Sequence, residues 1–75
     1  MITIFGKTQC PYCEMARKDA QAYGLEYEYK NIEYKKYLDE LLAIKPDANQ
    51  VPIIFYNDVL IGNYKNFLDY LKKTC

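Results

Sequence analysis

The chain has 75 residues, 51% of them hydrophobic and 27% charged, which is the composition of one small folded domain without room for a second core. Because 10 Lys and Arg balance 10 Asp and Glu, the charge gives no case for nucleic-acid binding. No apolar run approaches the roughly 20 residues that span a bilayer. No charged leader precedes the first strand-like run, so we expect neither a membrane span nor a signal peptide.

The first part of the chain alternates between strand-like and helical patterns. Residues 2–5 are β-branched or aromatic and predict a buried strand that ends at Gly6. From Pro11 the apolar residues follow helical spacing, and Gly24 predicts the end of that helix. Residues 25–30 alternate with period two, which predicts a strand with one buried face and one face in water.

The rest of the chain predicts a helix, a hairpin and a closing helix. Residues 34–44 carry apolar side chains at helical spacing, and this helix must end before Pro46. Residues 51–56 and 59–61 predict the two strands of a hairpin. Asn63 is a favourable N-cap for the last helix. The apolar stripe of that helix consists of Tyr64, Phe67, Leu68 and Leu71.

This order, βαβ, then α, then ββα, predicts an α/β fold with one four-stranded mixed sheet and three helices covering both faces. The first two strands should be parallel. Such a fold places Cys10 at the C-terminal end of the first strand, where open α/β sheets keep their sites. We expect one group of tyrosines to pack against the sheet, with an exposed docking surface as the alternative. These are Tyr23, Tyr27, Tyr29, Tyr34 and Tyr37.

The most informative motif is Cys10-Pro11-Tyr12-Cys13. Pro11 suits the first helical position, which puts Cys10 at the helix start, facing free backbone N–H groups and the positive end of the helix dipole. That environment favours the thiolate, the form that attacks disulfides. Cys13 lies nearly one turn further along, within reach of Cys10 and more shielded. The spacing therefore predicts redox chemistry in which Cys10 attacks and Cys13 resolves the mixed disulfide.

Two other interpretations of this motif compete with redox chemistry. A structural zinc site needs four ligands, but the chain has no histidine, and its only other cysteine is Cys75. A purely structural disulfide across so short a loop would restrict the unfolded chain little. We favour redox chemistry over both and expect Cys75 to be a terminal thiol without a role. The cysteine pattern is not a secreted disulfide framework, so a reducing cytosol is expected.

Residues 4–13 resemble the opening of a dithiol glutaredoxin of the CPYC type. Val51-Pro52 and the strand that follows resemble the second signature of that family, and residues 61–64 leading into Phe67 resemble the third. All three occur in order, so residues 1–75 as a whole resemble a single glutaredoxin-like domain, in a small bacterial or phage-like form. The resemblance implies a thioredoxin-like fold and a thiol-disulfide oxidoreductase activity.

The resemblance also implies the parts of the site and gives the two cysteines the roles of nucleophile and redox partner. Pro52 would form a cis bond facing the disulfide, and Val51 would offer main-chain N–H and C=O groups to bound glutathione. Lys7 and Tyr12 would flank the glutathione, with Lys7 meeting a carboxylate. The alternatives are the start of a strand for Pro52, a solvated loop lysine for Lys7 and an exposed ring for Tyr12. The glutathione site so implied comprises Lys7, Tyr12, Val51, Pro52, Gly62, Asn63, Lys65 and Asn66.

The third signature departs from the family pattern. Asn63 stands where the second glycine is usual, and Lys65 and Asn66 stand where acidic or hydroxyl residues hold the γ-glutamyl unit. Backbone N–H groups of residues 63–66 are expected to remain available for a carboxylate at the helix start. Lys65 would repel the glutathione ammonium and attract its carboxylates. We therefore expect a weaker γ-glutamyl site than is usual in the family, with the thiol chemistry unchanged.

We predict a glutathione-dependent reductase of protein disulfides and glutathione mixed disulfides, with glutathione as co-substrate and no tightly bound cofactor. Ribonucleotide reductase is the protein substrate that the resemblance implies. The alternatives are a redoxin that takes electrons from thioredoxin reductase, and a metal or iron–sulfur carrier with Cys10 as ligand. We expect a monomer in the cytoplasm, that of the host if the gene is phage-borne, binding neither nucleic acid nor membrane.

Overall fold

The structure, a computed structural model, describes residues 1–74 and the side chains of residues 1–73. Cys75 lies outside the described residues, so the expectation that it is a terminal thiol without a role stays a prediction. Within the described part, no helix is both long and apolar enough to cross a membrane. The elements follow the predicted order: β1 (Ile2–Gly6), α1 (Pro11–Ala22), β2 (Tyr27–Asn31), α2 (Lys35–Ile44), β3 (Ile53–Tyr56), β4 (Val59–Gly62) and α3 (Tyr64–Thr74).

One four-stranded sheet with the order β2-β1-β3-β4 organises these elements. β1 runs parallel to β2, while β1 with β3 and β3 with β4 are antiparallel, as in the predicted mixed sheet. Because side chains alternate along a strand, the central strands contribute side chains to two separate cores, one on each face of the sheet. Ile4 and Ile54 pack with residues of α1 and α3 on one face. Phe5 and Phe55 pack with Leu41 of α2 on the other, which confirms helices on both faces.

The end of α1 explains why β2 begins later than predicted. Gly24 adopts a positive φ of 68° that an L side chain would resist. Its N–H donates to the carbonyl of Gln21, and the N–H of Leu25 donates to the carbonyl of Ala20, both at 3.0 Å. This is the Schellman arrangement that closes a helix. Because Leu25 is used in the cap, the strand starts at Tyr27 rather than at residue 25.

The hairpin differs from its prediction at both ends. β3 begins at Ile53, two residues later than predicted, because Val51 and Pro52 form an irregular segment with a cis peptide bond between them. The cis bond confirms what the family resemblance implied. Asn57, with a φ of 53°, reverses the chain, and β4 continues through Gly62 rather than ending one residue before it.

The prediction that five tyrosines pack against the sheet is right for part of the group. Tyr27 and Tyr29 of β2 pack against the core beneath α1 and α3, and Tyr37 of α2 is half-buried. For Tyr23 and Tyr34 the prediction is wrong, because they are 47% and 63% exposed. Both occupy helix caps, Tyr23 after α1 and Tyr34 before α2, and so lie outside the face that each helix presents to the sheet.

Candidate active site

The loop between β1 and α1 is held in place by Asn31, the last residue of β2, and by Glu33 in the turn that follows. The Thr8 hydroxyl donates to the Glu33 carboxylate, and the Thr8 N–H donates to the same oxygen at 3.2 Å. The Asn31 amide donates to the Thr8 hydroxyl and to Glu33 at 3.2 and 3.1 Å. These hydrogen bonds hold the pKa of Glu33 below its usual value. The loop therefore delivers Cys10 to the start of α1 in a fixed position, a support that the sequence did not reveal.

The two cysteines meet at the N-terminus of α1, as the motif predicts. Cys10 is the N-cap residue and has an extended backbone. The N–H of Cys13 donates to the Sγ of Cys10 at 3.3 Å. The two sulfurs are bonded to each other, with Cα atoms 5.2 Å apart. Cys10 is 8% exposed, whereas Cys13 is fully buried. An incoming thiolate therefore meets the sulfur of Cys10 and not that of Cys13.

The loop before β3 faces this disulfide. The carbonyl oxygen of Val51 lies 3.9 Å from the Sγ of Cys10. Pro52 is buried behind it, and Val51 itself is half-buried. A main-chain carbonyl next to the reactive sulfur is suited to pair with the backbone of a bound peptide-like thiol, in the manner of an added strand.

A groove of about 290 Å³ runs past this loop. We call it the substrate groove, and it is lined by Tyr12, Gln50, Val51, Pro52, Asn63, Tyr64 and Lys65. Lys7 lines an adjoining depression that shares Gln50 and Val51 with the groove. Gly62 lines another that shares Pro52 and Asn63. The fold thus brings every proposed glutathione residue except Asn66 around the Val51-Pro52 loop.

Asn66 is engaged in capping α3 instead. Its side-chain oxygen accepts from the N–H of Asn63, and the side-chain oxygen of Asn63 accepts from the N–H of Asn66, both at 3.0 Å. The expectation that all N–H groups of residues 63–66 remain available is therefore wrong for these two. A side chain at Gly62, whose φ is 125°, would overlap Asn66, so glycine is required where the chain enters this cap.

Tyr64 is a residue of the groove that the sequence did not single out. Its ring stacks on that of Tyr12, with centroids 5.7 Å apart, and the two rings form one wall. Its hydroxyl donates to Asp19 of α1 at 2.7 Å. That hydrogen bond, with burial, raises the pKa of Tyr64 to about 12. The helical spacing placed Tyr64 in the apolar stripe of α3, and only its position next to the cap of that helix hinted at the groove.

The charge of the groove differs from what an ammonium-bearing ligand requires. Of the described residues that line it, Lys65 alone is charged, and it is exposed. A carboxylate entering the groove is attracted, whereas an ammonium group meets no acidic side chain. In the part of the chain that the structure describes, no group of three His, Cys, Asp or Glu side chains is arranged to hold a metal ion.

Comparison with known proteins agrees with this geometry. The glutaredoxin family model matches residues 2–61. The chain is 34% identical over 64 residues to the mitochondrial glutaredoxin-2 of Rattus norvegicus, covering 81% of this chain and 41% of that protein. It is 31% identical over 64 residues to glutaredoxin-2 of Schizosaccharomyces pombe, covering 81% and 58%. The chain spans about half the length of the curated relatives it matches.

Solved structures show the same fold. Reduced Escherichia coli glutaredoxin superimposes with a TM-score of 0.69 at 28% identity, covering 97% of this chain and 94% of that one. The buckwheat glutaredoxin–glutathione complex superimposes with a TM-score of 0.78 at 22% identity, covering 96% and 68%. The family model covers most of the chain, and the matched segments meet at one CxxC disulfide on a four-stranded thioredoxin-like sheet. The chain therefore belongs to the glutaredoxin family of thiol-disulfide oxidoreductases.

Proposed function

We propose that this chain is a glutathione-dependent thiol-disulfide oxidoreductase that reduces protein disulfides and glutathione mixed disulfides. The observation that carries the proposal is the disulfide at the start of α1, in which only Cys10 reaches the surface. A dithiol whose two sulfurs differ in access is suited to a two-step exchange with one attacking and one resolving thiol.

The proposed exchange has four steps. The Cys10 thiolate attacks a substrate disulfide, forming a mixed disulfide and expelling one substrate thiolate. Cys13, after losing its proton, attacks the Cys10 sulfur and expels the second, which leaves the Cys10–Cys13 disulfide. One glutathione thiolate then attacks the Cys10 sulfur and expels the Cys13 thiolate. A second glutathione thiolate attacks the sulfur of the bound glutathione and expels the Cys10 thiolate, which releases oxidised glutathione. Two glutathione molecules thereby supply the two electrons and two protons that the substrate disulfide takes up.

The substrate groove supports glutathione as the co-substrate. The Val51 main chain lies beside the reactive sulfur, where the cysteine part of glutathione would pair with it. The stacked rings of Tyr12 and Tyr64 offer a wall for the remaining backbone. Lys65 and, from the adjoining depression, Lys7 would attract its carboxylates. A related structure contains a glutaredoxin–glutathione complex. We propose that the protein works without a tightly bound cofactor.

A second candidate function uses the same thiols with another reductant. The groove presents Lys65 and, among the described residues, no carboxylate for the glutathione ammonium. That observation favours a redoxin reduced by thioredoxin reductase. We rank it second because the Val51 carbonyl, the two stacked rings and the Cys10 sulfur together accommodate a small peptide thiol.

The setting of the reaction is also proposed. Ribonucleotide reductase is a candidate protein substrate on the strength of the family resemblance alone. We propose that residues 1–75 act as one monomeric domain in the cytoplasm, without nucleic-acid or membrane partners. An origin in a bacterium or a phage stays a prediction that the comparisons leave untested.

Consumption of NADPH tests the function directly. The protein is assayed on a small disulfide, once with glutathione and glutathione reductase and once with thioredoxin reductase, and Cys10→Ser serves as the blank. We expect turnover in the first system that depends on Cys10. Efficient turnover with thioredoxin reductase and none with glutathione would replace the proposal by the redoxin function, and no turnover with either would overturn both.

A further inference from the structure

Tyr29 of β2 faces the buried cysteine across Gly6. A methyl group placed on Gly6 would overlap the Tyr29 hydroxyl and would lie 3.0 Å from the Sγ of Cys13. The hydroxyl and the sulfur therefore both lie within about 3 Å of the point that a methyl group on Gly6 would occupy. Cys13 is fully buried, so water does not reach its sulfur.

The surroundings of Tyr29 keep its hydroxyl protonated. The hydroxyl donates to the carbonyl of Lys7 at 3.2 Å, an exposed hydrogen bond that is longer than usual for a hydroxyl donor. The guanidinium of Arg17, itself paired with Glu14 at 2.8 Å, lies 5.4 Å from the centre of the ring. Burial and the nearby Glu14 carboxylate raise the pKa of Tyr29 above its usual value. At neutral pH this group is thus a hydrogen-bond donor and not an acid.

We propose that the Tyr29 hydroxyl donates a hydrogen bond to the Cys13 thiolate that forms when the Cys10–Cys13 disulfide opens. This inference rests on the proposed thiol–disulfide function. An incoming thiolate bonds to the Cys10 sulfur, the bond between the two sulfurs breaks, and its electron pair stays on Cys13. That charge forms on a fully buried sulfur, where an unpaired anion is costly. The hydroxyl turns from the Lys7 carbonyl to the sulfur, and no proton leaves the phenol.

The hydrogen bond should affect only the step in which charge forms on Cys13, the opening of the Cys10–Cys13 disulfide. A better-stabilised leaving thiolate departs faster, so the hydrogen bond speeds the opening of the internal disulfide. Steps that involve only Cys10, such as the exchange of a glutathione mixed disulfide, do not place charge on Cys13. Tyr29 therefore acts in the dithiol reaction and has no part in the monothiol one.

The test compares two tyrosines on the same strand and face. Tyr29→Phe removes the hydroxyl beside Cys13, whereas Tyr27→Phe removes one that accepts from Gln21 at 2.6 Å, away from the cysteines. Reduction of the oxidised proteins by dithiothreitol is followed in stopped flow. We expect Tyr29→Phe to slow the reaction about tenfold, the effect of one hydrogen bond to a charged group. Tyr27→Phe should stay within about twofold of the parent, as its lost bond touches no reacting atom.

A second comparison, made in Cys13→Ser protein, separates an effect of Tyr29 on the reaction from an effect on packing. In Cys13→Ser protein carrying glutathione on Cys10, Tyr29→Phe should leave the rate of glutathione release by dithiothreitol unchanged. Equal rates for the two phenylalanine variants, or a matching loss in the Cys13→Ser background, would overturn the proposal. If Tyr29→Phe does not fold, Tyr29→His, which keeps a donor, must react faster than Tyr29→Leu. Because dithiothreitol needs no glutathione site, these outcomes are independent of whether glutathione is the reductant.

Discussion

At the scale of single residues, the two cysteines share one helical turn but meet different surroundings. Cys10 caps the helix beside the Val51 carbonyl, while Cys13 lies under Gly6 and Tyr29. The N–H of Cys13 points at the Cys10 sulfur, which stabilises negative charge there. Access and hydrogen bonding thus support the proposal that Cys10 attacks and Cys13 resolves the mixed disulfide.

Serine substitutions should separate these roles. Cys10→Ser is expected to abolish reduction of every disulfide, because the accessible thiolate is gone. Cys13→Ser is expected to retain turnover of glutathione mixed disulfides, which need one thiol, and to lose turnover of protein disulfides. Both rates are measured with glutathione and glutathione reductase. Loss of both activities in Cys13→Ser with retention in Cys10→Ser would reverse the assignment.

The exposed Lys65 determines the charge of the substrate groove. Lys65→Asp supplies a partner for the glutathione ammonium, and an exposed ion pair contributes roughly 0.2–1 kcal/mol. We expect the apparent KM for glutathione to fall by a few-fold at most, with kcat nearly unchanged and the gain reduced by added salt. Lys72→Asp, the same change in the last turn of α3, serves as control. An unchanged KM in Lys65→Asp, or an equal fall in the control, would argue against a γ-glutamyl subsite here.

At the scale of elements, the start of α3 combines a helix cap with one end of the substrate groove. Asn63 and Asn66 satisfy each other's backbone N–H groups, which a helix N-terminus otherwise leaves unpaired. Tyr64 and Lys65 follow directly and line the groove. The cap therefore sets the direction in which these two side chains leave the helix.

Removing the cap should cost stability. Asn63→Ala is expected to lower the free energy of unfolding by about 1 kcal/mol, the usual loss for an N-cap side chain, because the N–H of Asn66 loses its acceptor. Asn63→Asp keeps an acceptor and should stay close to the parent. Asn49→Ala, at an exposed loop position, serves as the control in urea denaturation. Equal stability of the two alanine variants would show that the cap contributes nothing.

At the scale of the whole molecule, the sheet separates two small cores. The core under α1 and α3 includes Ile4 and Phe67, and the core under α2 consists of Phe5, Leu41, Ile53 and Phe55. β1 lies in the middle of the sheet and contributes to both. Since β1 leads into the cysteine loop, packing on either face supports the geometry of the site.

The core under α2 is small enough to depend on one leucine. Leu41 is 2% exposed and its neighbour Leu42 is 37% exposed, so the two make a matched pair. Leu41→Ala should lower the free energy of unfolding by about 2–5 kcal/mol through lost burial and a cavity. Leu42→Ala should cost much less. Chemical denaturation measures both, and a similar loss in the two variants would contradict the assignment of α2 to this core.

The sequence by itself determined the order of the elements and the position of the redox pair. Strand and helix periodicity, the proline after Cys10 and the asparagine before α3 act within a few residues, so they can be interpreted without the fold. The same local signals fail at the ends of elements. Leu25 closes a helix where its pattern predicted a strand, and Tyr23 and Tyr34 lie in helix caps although we predicted that they pack against the sheet.

The tertiary structure alone decided which residues surround the sulfurs. Tyr64 and Asp19 are 45 positions apart, and Cys10 and Val51 are 41 apart. Tyr29 and Cys13 both come close to Gly6 only because β2 pairs with β1. No periodicity or spacing encodes such contacts. They follow from strand register and helix packing, in which a shift of one residue would turn Tyr29 to the opposite face of the sheet.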